Sequence, residues 1–272
     1  MTCGMTDLLT EVLQFATPAL TPVERHGDYW VKRDDKFRIG DSCGGKVRTC
    51  LQLATAGRDR GDHTLVTAGS RHSPQVNIVA TVATHLGMAA ECHVPAGPET
   101  PELAAARAAG AMIVAHRPGY NTVIVARARE AATQPGRVHI PFGMQTPLAV
   151  DATAAQAVNV PPGCRVVVPV GSGMSLAGVI AGTTDDTSIL GVVVGADPTK
   201  RLDRYAPMWR DRVQLVAAGL PYDRPAPVTE FSGIALDPIY EAKCLRFLVV
   251  GDLFWIVGRR GTTHDSNVCA KP

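Results

Sequence analysis

The chain has no basic block, no long apolar run and no paired-cysteine motif, and each absence removes a class of function. Net charge is +2 over 272 residues, without the clustered cations of a nucleic-acid footprint. No apolar stretch approaches membrane-spanning length, and the opening residues MTCGMTDLLTEVLQ lack the basic-then-apolar layout of a signal peptide. A cytoplasmic protein is therefore expected, with neither a membrane nor a nucleic acid as partner. The seven cysteines (Cys3, Cys43, Cys50, Cys92, Cys164, Cys244, Cys269) are odd in number, scattered and free of any CxxC. No histidine pair has zinc-ligand spacing, so reduced thiols and no metal are expected. Lysine and asparagine are scarce, and no internal repeat or low-complexity tract stands out.

What is present is an ordinary globular balance, 46% apolar and 19% charged, long enough for one large or two modest domains. After a short helix over 7–15 and a proline break at 17–22, strands and helices alternate. Strands are expected at 28–35, 63–70, 90–96, 111–117, 137–143, 164–173 and 188–197. Helices are expected up to about Ala56 and at 74–87, 102–110, 122–132, 149–158 and 174–182. The strands are continuous Val-rich runs rather than alternating ones, which predicts parallel sheets covered on both faces. Residues 199–232, rich in Pro and Arg, carry no clear element. RFLVVGDLFWIVG (246–258) reads as a last strand with a turn at Gly251-Asp252, and the tail after Arg260 is polar.

Four stretches carry chemistry. In DSCGGKVR (41–48) a Gly-Gly turn holds one lysine, Lys46, just before a helix. A lysine on a fixed backbone with a free-reaching amine is placed to form an imine with a carbonyl compound, though a solvated lysine at a helix start has the same look. In VVVPVGSGMSLAG a buried strand runs through Gly171-Ser172-Gly173 into a helix, a set of backbone amides suited to an anion. It lacks the third glycine of the dinucleotide fingerprint and the Gly-Lys-Ser/Thr of the Walker loop. A phosphate monoester fits, and a plain strand-to-helix turn fits equally. GSRHSPQ (69–75) is a second loop at a strand end, where Ser70 and His72 are candidates to act on a substrate and Ser73 is a helix cap before Pro74. LDPIYEAK (236–243) places Tyr240 beside Glu241, which alone is no more than a helix start with a favourable acid.

Taken together, VKRDD (31–35), CGGKVR (43–48), SRHSPQ (70–75), VGSGMSLAG (170–178) and LDPIYEAK (236–243) resemble, in the same order, the motifs of the tryptophan-synthase-β-like (fold type II) pyridoxal-phosphate enzymes. Within them the chain is most similar to the 1-aminocyclopropane-1-carboxylate deaminase and D-cysteine desulfhydrase group. The resemblance runs from about Val31 to Gly258. It implies an α/β protein of two three-layer α/β/α domains with mostly parallel sheets, the larger from 1–50 plus 149–272 and the smaller, inserted one from 51–148. It implies pyridoxal 5'-phosphate as cofactor, a small amino acid or amino-acid conjugate as substrate, and a homodimer. Lys46 would bind the cofactor as an imine and move the proton at the substrate's α-carbon. Gly171, Ser172, Gly173, Met174 and Ser175 would hold the cofactor phosphate. Arg71 stands in the cofactor-contacting position of the Ser-Asn-His motif, and Glu241 would face the pyridine nitrogen, where an opposite charge favours the protonated ring. Ser70, His72 and Gln75 would line the substrate carboxylate, and Ser70 and Tyr240 would join Lys46 in catalysis. Glu241 beside Tyr240 tilts the reading towards deaminase chemistry.

The departures from the family pattern are specific. Gly45 and Arg71 stand where the family has asparagine, and Met174-Ser175 where it has Gly-Thr. Ile256-Val257-Gly258-Arg259 loses the polar residues of a His-Thr-Gly-Gly-like segment. The span 176–235 is shorter than its family counterpart. These motivate two alternatives to an amino-acid deaminase or lyase. One is a divergent enzyme doing decarboxylation, elimination or replacement on an unusual amino-acid conjugate, and the other is a non-catalytic relative.

Overall fold

A computed structural model describes residues 19–260. Its strands are β1 (Val23–His26), β2 (Tyr29–Arg33), β3 (Arg38–Ile39), β4 (Ser42–Cys43), β5 (Thr64–Ala68), β6 (Ala89–Pro95) and β7 (Met112–His116). Then follow β8 (Arg137–Ile140), β9 (Val166–Val170), β10 (Ile189–Val193), β11 (Val213–Ala217), β12 (Glu230–Phe231), β13 (Ile234–Ala235) and β14 (Leu253–Ile256). The α-helices are α1 (Gly45–Asp59), α2 (Pro74–His85), α3 (Pro101–Ala108), α4 (Asn121–Ala131), α5 (Pro147–Ala157), α6 (Met174–Gly182) and α7 (Thr199–Tyr205). The fold is α/β with mostly parallel sheets. One sheet runs β1-β2-β14-β9-β10-β11, parallel except for the β1–β2 pair, and the other runs β7-β6-β5-β8, parallel throughout.

Local sequence explains most of these elements. β9 and β10 are buried apolar runs, as strands covered on both faces must be. Pro169 is tolerated within β9 for a geometric reason. The Val166 N–H donates towards β10, to Ser188 O, so the alternate position 169 faces β14, whose pairing with β9 stops at Val167. Three helices start in the same way, on a hydroxyl cap followed by proline: Ser73-Pro74, Thr100-Pro101 and Thr146-Pro147. Each cap oxygen accepts a first-turn N–H, and proline sits where no donor is needed. Apolar clusters cover both faces of the larger sheet, and another packs α1, α2 and α3 onto the smaller one.

The structure corrects several expected boundaries. Residues 199–232 do carry elements, α7 and the edge strand β11. The final strand is only Leu253–Ile256. Residues 241–247 form a 3-10 helix, and 248–252 turn because the Asp252 carboxylate accepts the Val249 N–H at 2.8 Å and holds Arg165 at 2.7 Å. β1 and the small β3–β4 hairpin were not expected. α1 runs on to Asp59, and the expected strands 137–143 and 164–173 are trimmed to β8 and β9. The helix expected at 7–15 and the tail after Arg260 lie outside the described residues, as do Cys3 and Cys269. The five described cysteines are free. No helix among the described residues is long and apolar enough to cross a membrane.

Candidate active site

Chain segments leaving the carboxyl ends of β5, β8, β9, β10 and β14 converge on one crevice, the usual ligand position of parallel α/β sheets. Lys46 is the second residue of α1, so it extends from a helix rather than a free loop. The two glycines before it have a steric reason. Gly44 has φ +102°, and a Cβ there would lie 2.2 Å from Val257 O. The Gly45 N–H donates to that same oxygen at 3.0 Å, so the start of α1 is docked on the chain leaving β14. Lys46 lines the crevice, and its amine makes no hydrogen bond among the described residues. Burial lowers its proton affinity and the Arg260 charge adds to that, against opposing pulls from Asp237 and Glu241.

Glu241 is fully buried at the crevice wall. Its Oε1 accepts the N–H groups of Val257 at 3.1 Å and Gly258 at 3.2 Å. Its Oε2 is buried with no partner among the described residues. Burial drives the carboxyl's pKa well above its ordinary value, the charge of Asp237 reinforces this, and the backbone N–H bonds oppose it. Asp237 sets up the turn before it: its Oδ1 accepts from the N–H groups of Ile239 and Tyr240, and its Oδ2 accepts from Arg260 Nε at 2.9 Å. Tyr240 stacks edge-on against Tyr222, with the two hydroxyls 3.0 Å apart. Burial, followed by Tyr222, raises the Tyr240 pKa. Gly171 lies against the same ring; a Cβ at that position would sit 2.7 Å from Tyr240 Cε1.

Gly171 and Ser172 line the main cavity, of about 310 Å³, together with Lys46, Ser70, Gln75 and Tyr240. Gly173 takes the left-handed φ of +87° that turns the chain into α6. Ser175 lines the narrower part of the crevice beside Lys46 and Glu241. Met174 is buried, 5% exposed, in the core beneath the loop. The start of α6 thus brings its uncommitted first-turn N–H groups to a cavity edged by two serine hydroxyls, a suitable cradle for a phosphate.

The loop after β5 is divided. Ser70 and Gln75 line the cavity, but the Gln75 amide is committed: Nε2 donates to Thr67 Oγ1 at 2.8 Å and Pro141 O at 2.9 Å, and Oε1 accepts Gly143 N–H at 2.8 Å. It ties the Gly143 turn against Ser172. Arg71 points elsewhere, its Nη1 donating to Pro98 O at 2.7 Å over Gly97. His72 is exposed, and only its carbonyl is engaged, by Arg260 Nη1 at 3.1 Å. Neither residue lines the crevice.

The sequence reading missed Phe142, Gly143, Gly195, Tyr222 and Arg260 as lining residues. Gly143 and Gly195 had a usable signal, since each follows the carboxyl end of a parallel strand. Tyr222 and Arg260 had none, being carried into place by loops of no recognisable pattern.

Pyridoxal 5'-phosphate fits these residues. An amine and a buried carboxyl oxygen that have no hydrogen-bond partner among the described residues, with a glycine–serine helix start, suit a carbonyl, a ring N–H and a phosphate. No curated protein matches the chain. Among solved structures, an ACC deaminase homologue is 20% identical, with a TM-score of 0.77 over 90% of this chain and 91% of that one. The processed form of threonine deaminase isoform 2 from Solanum lycopersicum is 18% identical, with a TM-score of 0.63 over 97% and 87%. Diaminopropionate ammonia lyase of Escherichia coli, in apo form, is 14% identical, with a TM-score of 0.62 over 90% and 84%. These likenesses establish the fold. The family model described as pyridoxal-phosphate dependent enzyme matches residues 13–248, most of the chain. The chain belongs to that family, as a fold type II member.

Proposed function

We propose that the protein is a lyase or deaminase acting on an amino acid through Lys46. The observation that carries this is the Lys46 amine: among the described residues it makes no hydrogen bond, it has a lowered proton affinity, and it shares one crevice with Glu241 and the glycine loop. An amine that loses its proton readily is the stronger nucleophile at neutral pH. When bound, pyridoxal phosphate supplies an electron sink for a bond broken at the substrate's α-carbon. Lys46 would anchor it covalently and would be the group that carries the proton at the substrate's α-carbon. Ser172, Ser175 and the first N–H groups of α6 would hold its phosphate. Glu241 would face its ring nitrogen, where a carboxylate favours the protonated ring. Ser70 contributes a hydroxyl towards the substrate carboxylate, and Tyr240, paired with Tyr222, is the acid or base available near the reacting carbon. Arg71 and His72, turned away from the crevice, have no part in this reading.

The test is covalent labelling of the purified protein beside Lys46→Ala. A visible band that bleaches with borohydride, with the reduced cofactor's mass on the peptide containing Lys46, is expected, and both should vanish in the variant. A Lys46→Ala protein that still fixes the cofactor, or still turns over an amino acid, would sink the proposal. Failure of the native protein to take up cofactor would favour a non-catalytic relative.

A further inference from the structure

Beyond Phe142 the Lys46 cavity adjoins a second hollow of about 580 Å³. Asn121 and Phe142 line both. Its walls come from α4, the last part of β8, residues 141–145 and α7. The charge in it is one-sided. Arg129, Arg204 and His139 line it, Arg201 lines the adjoining cavity with Lys46, and no aspartate or glutamate lines either hollow among the described residues.

The acids carried by these helices are turned to other partners. Glu130 of α4 pairs with Arg127 at 3.0 Å. Asp203 of α7 pairs with Arg210 and accepts from Trp209 Nε1. That leaves Arg129 with no hydrogen bond or ion pair among the described residues, while Arg204 only lies over the Tyr205 ring, 5.2 Å from its centroid. Among the described residues His139 Nε2 and Arg201 Nε are buried without a partner, while Arg201 Nη2 donates to Asp197 O at 2.9 Å. Burial, helped by the Arg129 charge, lowers the proton affinity of His139. Cations gathered in a cleft without a carboxylate repel one another and focus a positive potential, which an arriving anion relieves. The donor fork of a guanidinium matches the oxygens of phosphate and carboxylate.

We propose that this hollow is the subsite for a second anionic group of the substrate. The substrate class is then an amino acid whose side chain ends in a phosphoryl or carboxylate group. Its reacting end lies at Lys46, its chain passes Phe142, and its terminal anion sits between Arg129 and Arg204. The inference rests on the reading that Lys46 carries the cofactor and receives an amino acid.

Cofactor-loaded protein and Arg129→Gln/Arg204→Gln are titrated with 2-amino-5-phosphonopentanoate, 2-aminoadipate and norleucine, following heat and the visible band, at low and high salt. The anionic compounds should bind about ten-fold more tightly than norleucine at low salt. That preference should shrink with added salt and fall towards one in the double variant. A stronger response to the phosphonate assigns a phosphoryl tail, and a stronger response to aminoadipate a carboxylate. Loaded protein that binds norleucine as well as the anionic compounds, or a double variant that keeps the preference, overturns the subsite and leaves the Lys46 reading intact. Protein that takes up no cofactor but binds the phosphonate in an arginine-dependent way upholds the subsite and overturns the Lys46 reading. Protein that does neither overturns both.

Discussion

Lys32 is completely buried in β2, yet it has no carboxylate as direct partner among the described residues. Its ammonium donates to Thr21 O and Asn159 Oδ1, both at 2.7 Å. Burial lowers its pKa from 10.5 to about 8, with Asp34 pulling it up and Arg48 pushing it down. Between those two values the folded state holds less of the lysine's proton than the unfolded state does, so stability rises with pH across that window. Below pH 8 the burial penalty is present in full. Urea unfolding of the protein and of Lys32→Met at pH 8 and at pH 10 should show the difference moving in favour of the native lysine at the higher pH. A difference that stays constant would mean the two oxygens keep the lysine at its ordinary value. Its neighbours show what the sequence does not display. Asp34, in the RDD that ends the expected strand 28–35, is 1% exposed and takes Arg48 at 2.9 Å, Thr21 Oγ1 at 2.8 Å and Trp255 Nε1 at 3.3 Å. A buried ion pair leaves no trace in composition, because its partners lie far apart in the chain.

Helix α6 presents its amide end to the cavity, so its seat on α5 bears on the site. Gly178 and Gly182 make that seat close: a Cβ at 178 would lie 2.3 Å from Thr153 Cβ, and one at 182 would lie 2.3 Å from Ala154 O. Alanine in a helix normally gains about 1 kcal/mol over glycine. Here the overlap falls on a branched Cβ and on backbone, neither of which can swing aside, and overpacking of that kind costs about 1–3 kcal/mol. Gly178→Ala should therefore destabilise the protein by up to about 2 kcal/mol in denaturant titration. Gly119→Ala, with its nearest atom 3.9 Å away, should stay within about 0.5 kcal/mol. Elements of this kind were legible where local rules sufficed. The hydroxyl-proline caps mark helix starts, and the valine runs from 63 to 193 mark which segments are strands though not where they end. α7 was not legible, because TKRLDRY buries only Leu202 and so shows no apolar period. Nor was the short β14, because the Asp252 contact that ends the preceding turn reaches across to Arg165. Of the site, the glycine loop and Lys46 could be read because their geometry is made by adjacent residues. The turning of Arg71 onto Pro98 could not, since β6 supplies that loop from another part of the sheet.

The residue that ends the loop after β14 bridges the two sheets across the crevice. Arg260 meets Asp237 from the larger sheet's side, and Glu102 of α3 and His72 O from the smaller sheet's side. Its side chain is 14% exposed, and those of Glu102 and Asp237 are 12% and 4% exposed. Its guanidinium also lies over the Tyr240 ring, 5.7 Å from the centroid. Replacing the arginine by methionine leaves two largely buried carboxylates uncompensated, a change worth about 3–5 kcal/mol. Glu102→Gln keeps an acceptor for Nη1 and leaves Asp237 paired, so about 1 kcal/mol is expected. Because the two variants share one ion cluster, their effects should fall short of additive when combined. Hydrogen exchange would locate the loss. With Arg260→Met, amides of α3 and of residues 70–75 should exchange faster together with those of 237–241, since one side chain anchors all three. Faster exchange confined to one of these segments would show instead that Arg260 caps a local turn and does not couple the two halves of the crevice. A second consequence reaches Lys46. The Arg260 charge is among the causes that lower its proton affinity, so Arg260→Met should raise it, and cofactor uptake in the variant should need a higher pH than in the native protein. Uptake with an unchanged pH profile would assign the lowered affinity to burial alone.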